Sequence, residues 1–233
     1  MKLISKFIAL ALMTGTLFTT EPVSTIATAK ENEVLISTIV DNYVLDPALK
    51  MRWGLAVSVV SPTASVLFDT GPDGDALLAN MKVLGIEPSQ FSKVVISHDD
   101  DDHTVGLEAF LRVSPNTEVL LARNARSGAT IATAAGVRFS SVTEPTEVAP
   151  GIRTTGPIDE VSQQEEALII DTADVLIVIT GCAHPVIVPI LEKVQSLNPG
   201  KPLALVMGGF HLFQAPDTRA DKVVNAFQRL NVR

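Results

Sequence analysis

From residue 34 onward, short apolar runs alternate with longer stretches in which apolar residues recur every three or four positions. The runs predict strands at 34–40, 55–60, 65–69, 93–97, 118–122, 137–142, 167–171, 175–180 and 203–207. The helical periodicity predicts helices at 73–84, 104–112, 122–135, 186–196 and 217–230. Asp73 suits a helix start and Gly85 a helix end. Val66-Leu67-Phe68 and the run 175–179 are almost continuously apolar, which marks strands covered on both faces. Strands dominate at first and helices then intervene, a pattern that fits an α/β domain with sheets covered by helices on their outer faces.

Unusual polar residues follow the strands. Asp69-Thr70-Gly71, Ser97-His98-Asp99, Thr180-Gly181-Cys182 and Gly208-Gly209-Phe210-His211 each come directly after an apolar run. Ligand sites of α/β folds gather at such carboxyl ends.

Composition narrows the class. With 46% hydrophobic and 19% charged residues, the 233-residue chain is a folding sequence, long enough for one large domain. A formal charge of −8 argues against a nucleic-acid backbone as main partner and leaves a small-molecule substrate as the expectation. Residues 1–29 stand apart: Lys2 and Lys6 precede an apolar stretch from Phe7 to Phe18, and Ala27-Thr28-Ala29 follows. A basic start, a short apolar centre and small residues read as a signal peptide, which predicts a periplasmic or secreted protein beginning near Lys30. The apolar stretch is shorter than the roughly 20 residues a spanning helix needs, so no membrane anchor is expected after cleavage. The competing reading is a buried N-terminal helix. A single cysteine, Cys182, cannot form a disulfide within the chain.

The four histidines, His98, His103, His184 and His211, all lie in the turns after strands. One such histidine alone is more often structural than a ligand; four together point to a shared site. The loop 98–103 is the densest part, with His98, Asp100, Asp102 and His103 set around a strand-to-helix turn. Nitrogen and oxygen donors of this kind suit Zn, Mn or Fe, and a cation would relieve the repulsion among Asp100, Asp101 and Asp102. Two plainer readings stand beside this one: Asp102 as a helix cap, and the acidic run as a solvated turn. A calcium loop of the EF-hand kind fails, because neither its Gly nor its terminal Glu falls at the required spacing.

The loop resembles the signature of the metallo-β-lactamase fold superfamily, His-x-His-x-Asp-His after a strand, here His98-x-Asp100-x-Asp102-His103 followed by Thr104-Val105-Gly106-Leu107. Leu67-Phe68-Asp69-Thr70-Gly71 resembles the early strand and turn of that family. Asp41-Asn42, Gly181-Cys182-Ala183-His184-Pro185 and Gly208-Gly209-Phe210-His211-Leu212 are similar to a narrower branch, the dihydropterin ribofuranosylaminobenzene phosphate synthase group. The resemblance implies a four-layer αβ/βα sandwich over residues 30–233, with one or two divalent metals, zinc first, at an edge of the paired sheets. It implies that His98 and Asp100 serve one metal and that Asp102 and His103 begin the second. Cys182 or His184, and more weakly Glu165 or Glu166, would supply later ligands. Asp100 stands where the family usually has histidine, a harder and more anionic choice that favours Mn or Fe. Relatives of this kind continue into a further strand with a histidine-bearing motif, so a domain lacking that C-terminal region is expected here.

The function implied is an exported hydrolase that uses a metal-bound hydroxide on an ester, phosphoester or lactam-type bond. Asp102 would orient the water and His211 would donate to the developing oxyanion. Two other functions remain open: a metal-binding protein without turnover, and a transferase like the pterin-related synthase. Fold alone does not choose among them.

Overall fold

The alternation of apolar side chains along each strand decides how the layers stack. A computed structural model describes residues 33–158 and 164–232; the segment read as a signal peptide lies outside them. One sheet holds β1 (Leu35–Val40), β2 (Ala56–Val60), β3 (Ser65–Phe68), β4 (Lys93–Ile96), β5 (Glu118–Ala122) and β6 (Phe139–Val142), in that spatial order. The other runs β11 (Leu203–Gly208), β10 (Leu176–Thr180), β9 (Leu168–Asp171), β8 (Ile152–Thr154), β7 (Glu147–Ala149). Val66 and Phe68 of β3, Val95 of β4 and Leu120 of β5 meet Leu168 and Ile170 of β9 in a core between the sheets. The intervening Leu67, Val94, Ile96, Val119 and Leu121 face the other way, onto helices. Strands that are apolar at every position are therefore sandwiched on both sides, as their sequence predicted.

Helices α1 (Gly74–Leu84), α2 (Asp101–Thr104), α3 (Gly106–Val113) and α4 (Arg126–Ala134) cover the first sheet, through Leu77, Met81, Leu107, Phe110 and Ala132. On the second sheet, α5 (Ile187–Leu197) and α6 (Asp217–Arg229) pack Ile187, Ile190, Leu191, Val194 and Val223 onto Ile169 and Val178. The layer order is αβ/βα. Strands β3 to β6 run parallel, joined by helical crossovers, and β10 and β11 are also parallel.

Local chemistry explains the boundaries. Asp73 caps α1, accepting from the backbone N–H groups of Asp75 and Ala76 at 2.9 and 3.1 Å, and Gly85 ends it in the left-handed conformation. The helix expected at 104–112 starts earlier, at Asp101, and is broken at Val105. The Gly106 N–H donates outside the helix to the Gly71 carbonyl at 2.9 Å, which splits α2 from α3. The helix expected at 122–135 loses its first turn, because β5 keeps residue 122 and the Asp99 carboxylate accepts from the N–H groups of Arg126 and Ser127. Strands β7 and β8 escaped the sequence reading. At three residues each they are too short to show a period, and they form a hairpin around Gly151, whose φ is +74°. No helix among the described residues is long and apolar enough to cross a membrane.

Candidate metal centre

The carboxyl ends of β3, β4, β10 and β11 converge at one edge of the sandwich, and each delivers one of the polar turns singled out in the sequence. Asp69 follows β3 as a fully buried carboxylate with a left-handed φ of 56°. It accepts from the Ser97 N–H (2.7 Å), from Ser97 Oγ (2.7 Å) and from His103 Nδ1 (2.7 Å). One buried anion thus ties β3 to the end of β4 and to α2. The proton it receives on Nδ1 leaves His103 Nε2 as the ring's outward donor atom, in the way carboxylates orient metal-binding imidazoles. Ser97 Oγ also meets His98 Nδ1 at 2.8 Å.

All six sequence-predicted ligand residues come together here. The donor atoms of His98, Cys182 and His184 lie within 4.8 Å of one another, and so do those of Asp102, His103 and Cys182. Cys182 belongs to both groups. Its Sγ is 3.1 Å from His103 Nε2. Asp100 joins the first group through one carboxylate oxygen, 3.4 Å from His98 Nε2 and 3.1 Å from His184 Nε2. Asp102 lies 3.7 Å from His103 Nε2. The rings continue outward: His98 and His184 are 4.8 Å apart between centroids, His184 and His211 4.7 Å. His211 is exposed at the end of this row.

The other carboxylates singled out in the sequence stand outside the two donor groups. Glu165 is buried and accepts from the N–H groups of Ala183 and His184, both at 2.8 Å, which shapes the turn carrying Cys182 and His184. Neither it nor Glu166 belongs to the two donor groups. Asp99 caps α4. Gly181 lets the Cys182 turn pass over β4, because a Cβ there would overlap Ser97 Oγ. Ala183, Val186 and His211 adopt positive φ, as does Asp69, so backbone strain concentrates around the centre. What the sequence reading missed is the supporting role of Asp69 and Ser97. The available signal was an aspartate directly after a wholly apolar strand, where a buried charge must find donors.

The protonation of the cluster follows from this crowding. Burial opposes the Cys182 thiolate, yet hydrogen bonds with His103, His184 and His98 win and bring its pKa down to about 5. Burial likewise opposes charge on His98, but Asp100 and Cys182 raise it to about 9. His103 is pushed well above its ordinary value because the Asp69 charge and hydrogen bond outweigh burial. Cys182 also raises His184. Thiol and imidazoles thus push one another toward their charged forms.

The donor set fits a divalent cation of borderline softness: imidazoles, a thiolate and two carboxylates. His98 Nε2 adds a specific observation. It is buried and completes no well-aligned hydrogen bond, with an Asp100 oxygen 3.4 Å away and Cys182 beside it, the setting of a metal-ligating imidazole nitrogen.

Two outcomes are expected. Cation binding needs neutral imidazoles, so His98 must lose a proton it holds at pH 7, whereas Cys182 is already ionised. Zinc affinity should therefore climb as pH rises from 6 to 9, with release of about one proton or more per cation at pH 7. Calorimetry in buffers of different ionisation enthalpy measures this; zero net release would contradict the protonation pattern. The second concerns Glu166, whose pKa is raised to about 8 chiefly by burial, with the Asp69 charge adding to it. The Thr154 hydroxyl offsets only part of this, and neither carboxylate oxygen completes a hydrogen bond. The folded value lies above the ordinary 4.5, so the folded form holds the proton more tightly and stability falls as pH rises from about 4.5 to 8. Glu166→Gln should match the wild type in urea unfolding at pH 5 and exceed it at pH 8. A variant weaker at pH 8 would mean the carboxylate is paired after all.

Residues 54–193, more than half of the chain, match the family model of the metallo-beta-lactamase superfamily. The chain is 26% identical to the 7,8-dihydropterin-6-methyl-4-(beta-D-ribofuranosyl)-aminobenzene-5'-phosphate synthase of Methanocaldococcus jannaschii, with 72% of each chain covered. Among solved structures it is similar to a metal-dependent hydrolase of the beta-lactamase superfamily, with a TM-score of 0.72 and 26% identity over 86% of each chain. A second similar structure is the metallo-beta-lactamase fold protein YhfI from Bacillus subtilis, at a TM-score of 0.50 and 14% identity. It covers 64% of this chain and 63% of its own, a likeness of fold alone. The sandwich, the strand-end centre and the motif His98-x-Asp100-x-Asp102-His103 agree with these matches: the chain belongs to the metallo-beta-lactamase superfamily.

Proposed function

We propose that the protein is a metal-dependent hydrolase, exported from the cytoplasm, that cleaves an ester, phosphoester or lactam-type bond in a small molecule. The observation that carries this reading is the convergence of two donor groups on Cys182, with the buried His98 Nε2 aimed at them. His98, Asp100, His184 and Cys182 would hold one divalent cation, and Asp102, His103 and Cys182 a second. The thiolate common to both favours zinc over the harder Mn that Asp100 alone would suggest. The chemistry a cation supplies there is a lowered pKa of bound water, toward about 7, and with it hydroxide at neutral pH.

The chain's own residues do the rest. Asp69 keeps the His103 ring in one tautomer and orientation, and Ser97 does the same for His98. Asp102, partly exposed at the start of α2, would orient the attacking water toward the substrate. His211, exposed beside His184, donates a hydrogen bond to the oxygen that gains charge.

A second reading rests on the identity to the Methanocaldococcus jannaschii synthase: a group-transfer reaction at the same centre. The signal-like pattern of residues 1–29 speaks for export and against a cytoplasmic cofactor pathway. Mass analysis of the protein from its native host should find the chain starting near Lys30. An intact Met1 in the cytosolic fraction would withdraw the export half of the proposal and reopen the synthase.

The catalytic half is tested with the zinc-loaded protein on a panel of esters, phosphodiesters and lactams. A chelator should abolish hydrolysis and added zinc restore it. Asp102→Ala should bind less metal and lose about 100-fold or more in kcat. Full metal content and undiminished turnover in that variant would overturn the role given to the loop.

A further inference from the structure

The cleft that ends at the metal centre has a volume of about 1090 Å³, ample for a drug-sized molecule. Its floor is polar and its mouth aromatic. Trp53, from the turn before β2, and Phe213, from the turn after β11, face each other across the junction of the two sheets. Their ring centroids are 4.9 Å apart and their planes inclined at 71°. Both line the cleft, and both remain mostly exposed, at 54% and 66%. An edge-to-face pair left this open keeps free ring faces, and exposing them to water costs stability that no packing among the described residues recovers.

The backbone that carries Trp53 is fixed. Gly54 donates to Asn42 Oδ1 at 2.7 Å, Arg52 donates through its backbone N–H to the Asp41 carbonyl at 3.2 Å, and Leu55 donates to the Asp102 carbonyl at 3.3 Å. A Cβ at residue 54, where φ is +136°, would overlap that same Asp102 carbonyl. The indole is therefore held in register with the metal-binding loop, although its own faces are free. The Asp41-Asn42 motif thereby positions the cleft mouth.

Charge decides what kind of group fits. Asp41, Asp100, Asp101 and Asp102 line the cleft. Among the described residues, Arg52 is the one lysine or arginine in the lining. Its Nε is bound to Asp73 at 2.8 Å while its Nη1 donates to the Met51 carbonyl. The mouth thus offers aromatic faces and an arginine already engaged, and the other basic groups of the lining are His103, His184 and His211.

We propose that Trp53 and Phe213 form a recognition clamp for an uncharged aryl group of the substrate, which places the scissile bond over the metal centre. The reaction in that statement rests on the hydrolase reading above; the clamp itself does not. A phosphate at the mouth would meet the Asp41 carboxylate and an arginine already paired with Asp73. Because the two rings already touch, an uncharged ring would stack on the indole face that Phe213 leaves open, with Phe213 backing the indole from its other side.

Trp53 is the only tryptophan of the chain, so its fluorescence reports the clamp without turnover. The full-length protein, first stripped of metal by chelation, is titrated with 4-nitrobenzyl alcohol and separately with acrylamide, a quencher without a ring. Saturable quenching is expected for the alcohol only, and Phe213→Ala should weaken it roughly three- to tenfold at unchanged melting temperature. In the zinc-loaded protein, the same substitution should raise KM for a neutral aryl ester and leave KM for an alkyl ester of the same leaving group unmoved. Linear quenching that is equal for both probes, or saturation indifferent to Phe213→Ala, would overturn the clamp. Saturable quenching without hydrolysis of any aryl ester would leave the clamp standing and remove the hydrolase. If Phe213→Ala is unstable, Phe213→Leu serves, with the same expected loss of aryl preference.

Discussion

The buried carboxylate of Asp69 holds the functional end of this protein together. It sits at the close of an apolar strand, wholly removed from water, where an unpaired charge would be untenable. Three donors answer it: the backbone and hydroxyl of Ser97 and the Nδ1 of His103. Those bonds fix the exit of β4, the first turn of α2 and the tautomer of a ligand histidine together. The Thr70 N–H and hydroxyl add to this by both donating to the His103 carbonyl at 2.9 Å. Loss of the carboxylate would leave several polar groups buried and unmatched, which costs more than the bonds themselves contribute.

A second constraint comes from the opposite sheet. Glu165 holds the Ala183 and His184 amides, so the turn after β10 presents Cys182 and His184 toward residues delivered by β4 and α2. The two halves meet as charges that cannot all be satisfied by one another. A thiolate with a pKa of about 5 and imidazoles raised above their ordinary range are a folded-state compromise. Strained backbone at Asp69, Ala183, Val186 and His211 keeps that compromise in place. Such strain and such perturbed acidities gather at sites built to bind something. Here the same geometry serves the cation at the floor and, through the Asn42–Gly54 bond and the Asp102 carbonyl, the aromatic mouth above it.

Much of this was legible in the residues. Strands β1 to β6 and β9 to β11 follow from apolar runs bounded by turn residues, and α1 from Asp73 and Gly85, because those signals are local. The ligand residues were legible for a different reason: histidine is scarce in this chain, and all four copies follow strands. Where the reading failed, the cause was not local. Residues 152–154 form a strand because β9 offers them a partner, residues 147–149 because β8 in turn pairs with them, and a three-residue length carries no period. The break at Val105 depends on the Gly71 carbonyl, more than thirty residues away in sequence. Glu165 and Glu166 looked like equivalent carboxylates before a strand, yet the chain entering β9 turns them to different neighbours. One reaches the Cys182 turn while the other is enclosed beside Asp69.

The sequence by itself determined the layer architecture, the strand-end location of the chemistry and the loop from His98 to His103, since these depend on periodicity and on residue types adjacent in the chain. Only the tertiary structure decided that Cys182 belongs to both donor groups, that Asp69 orients His103, and that Trp53 meets Phe213. Each of those pairs is separated by more than thirty residues and comes from different strands or sheets. Their distances are set by how two sheets pack face to face, a property no local pattern encodes.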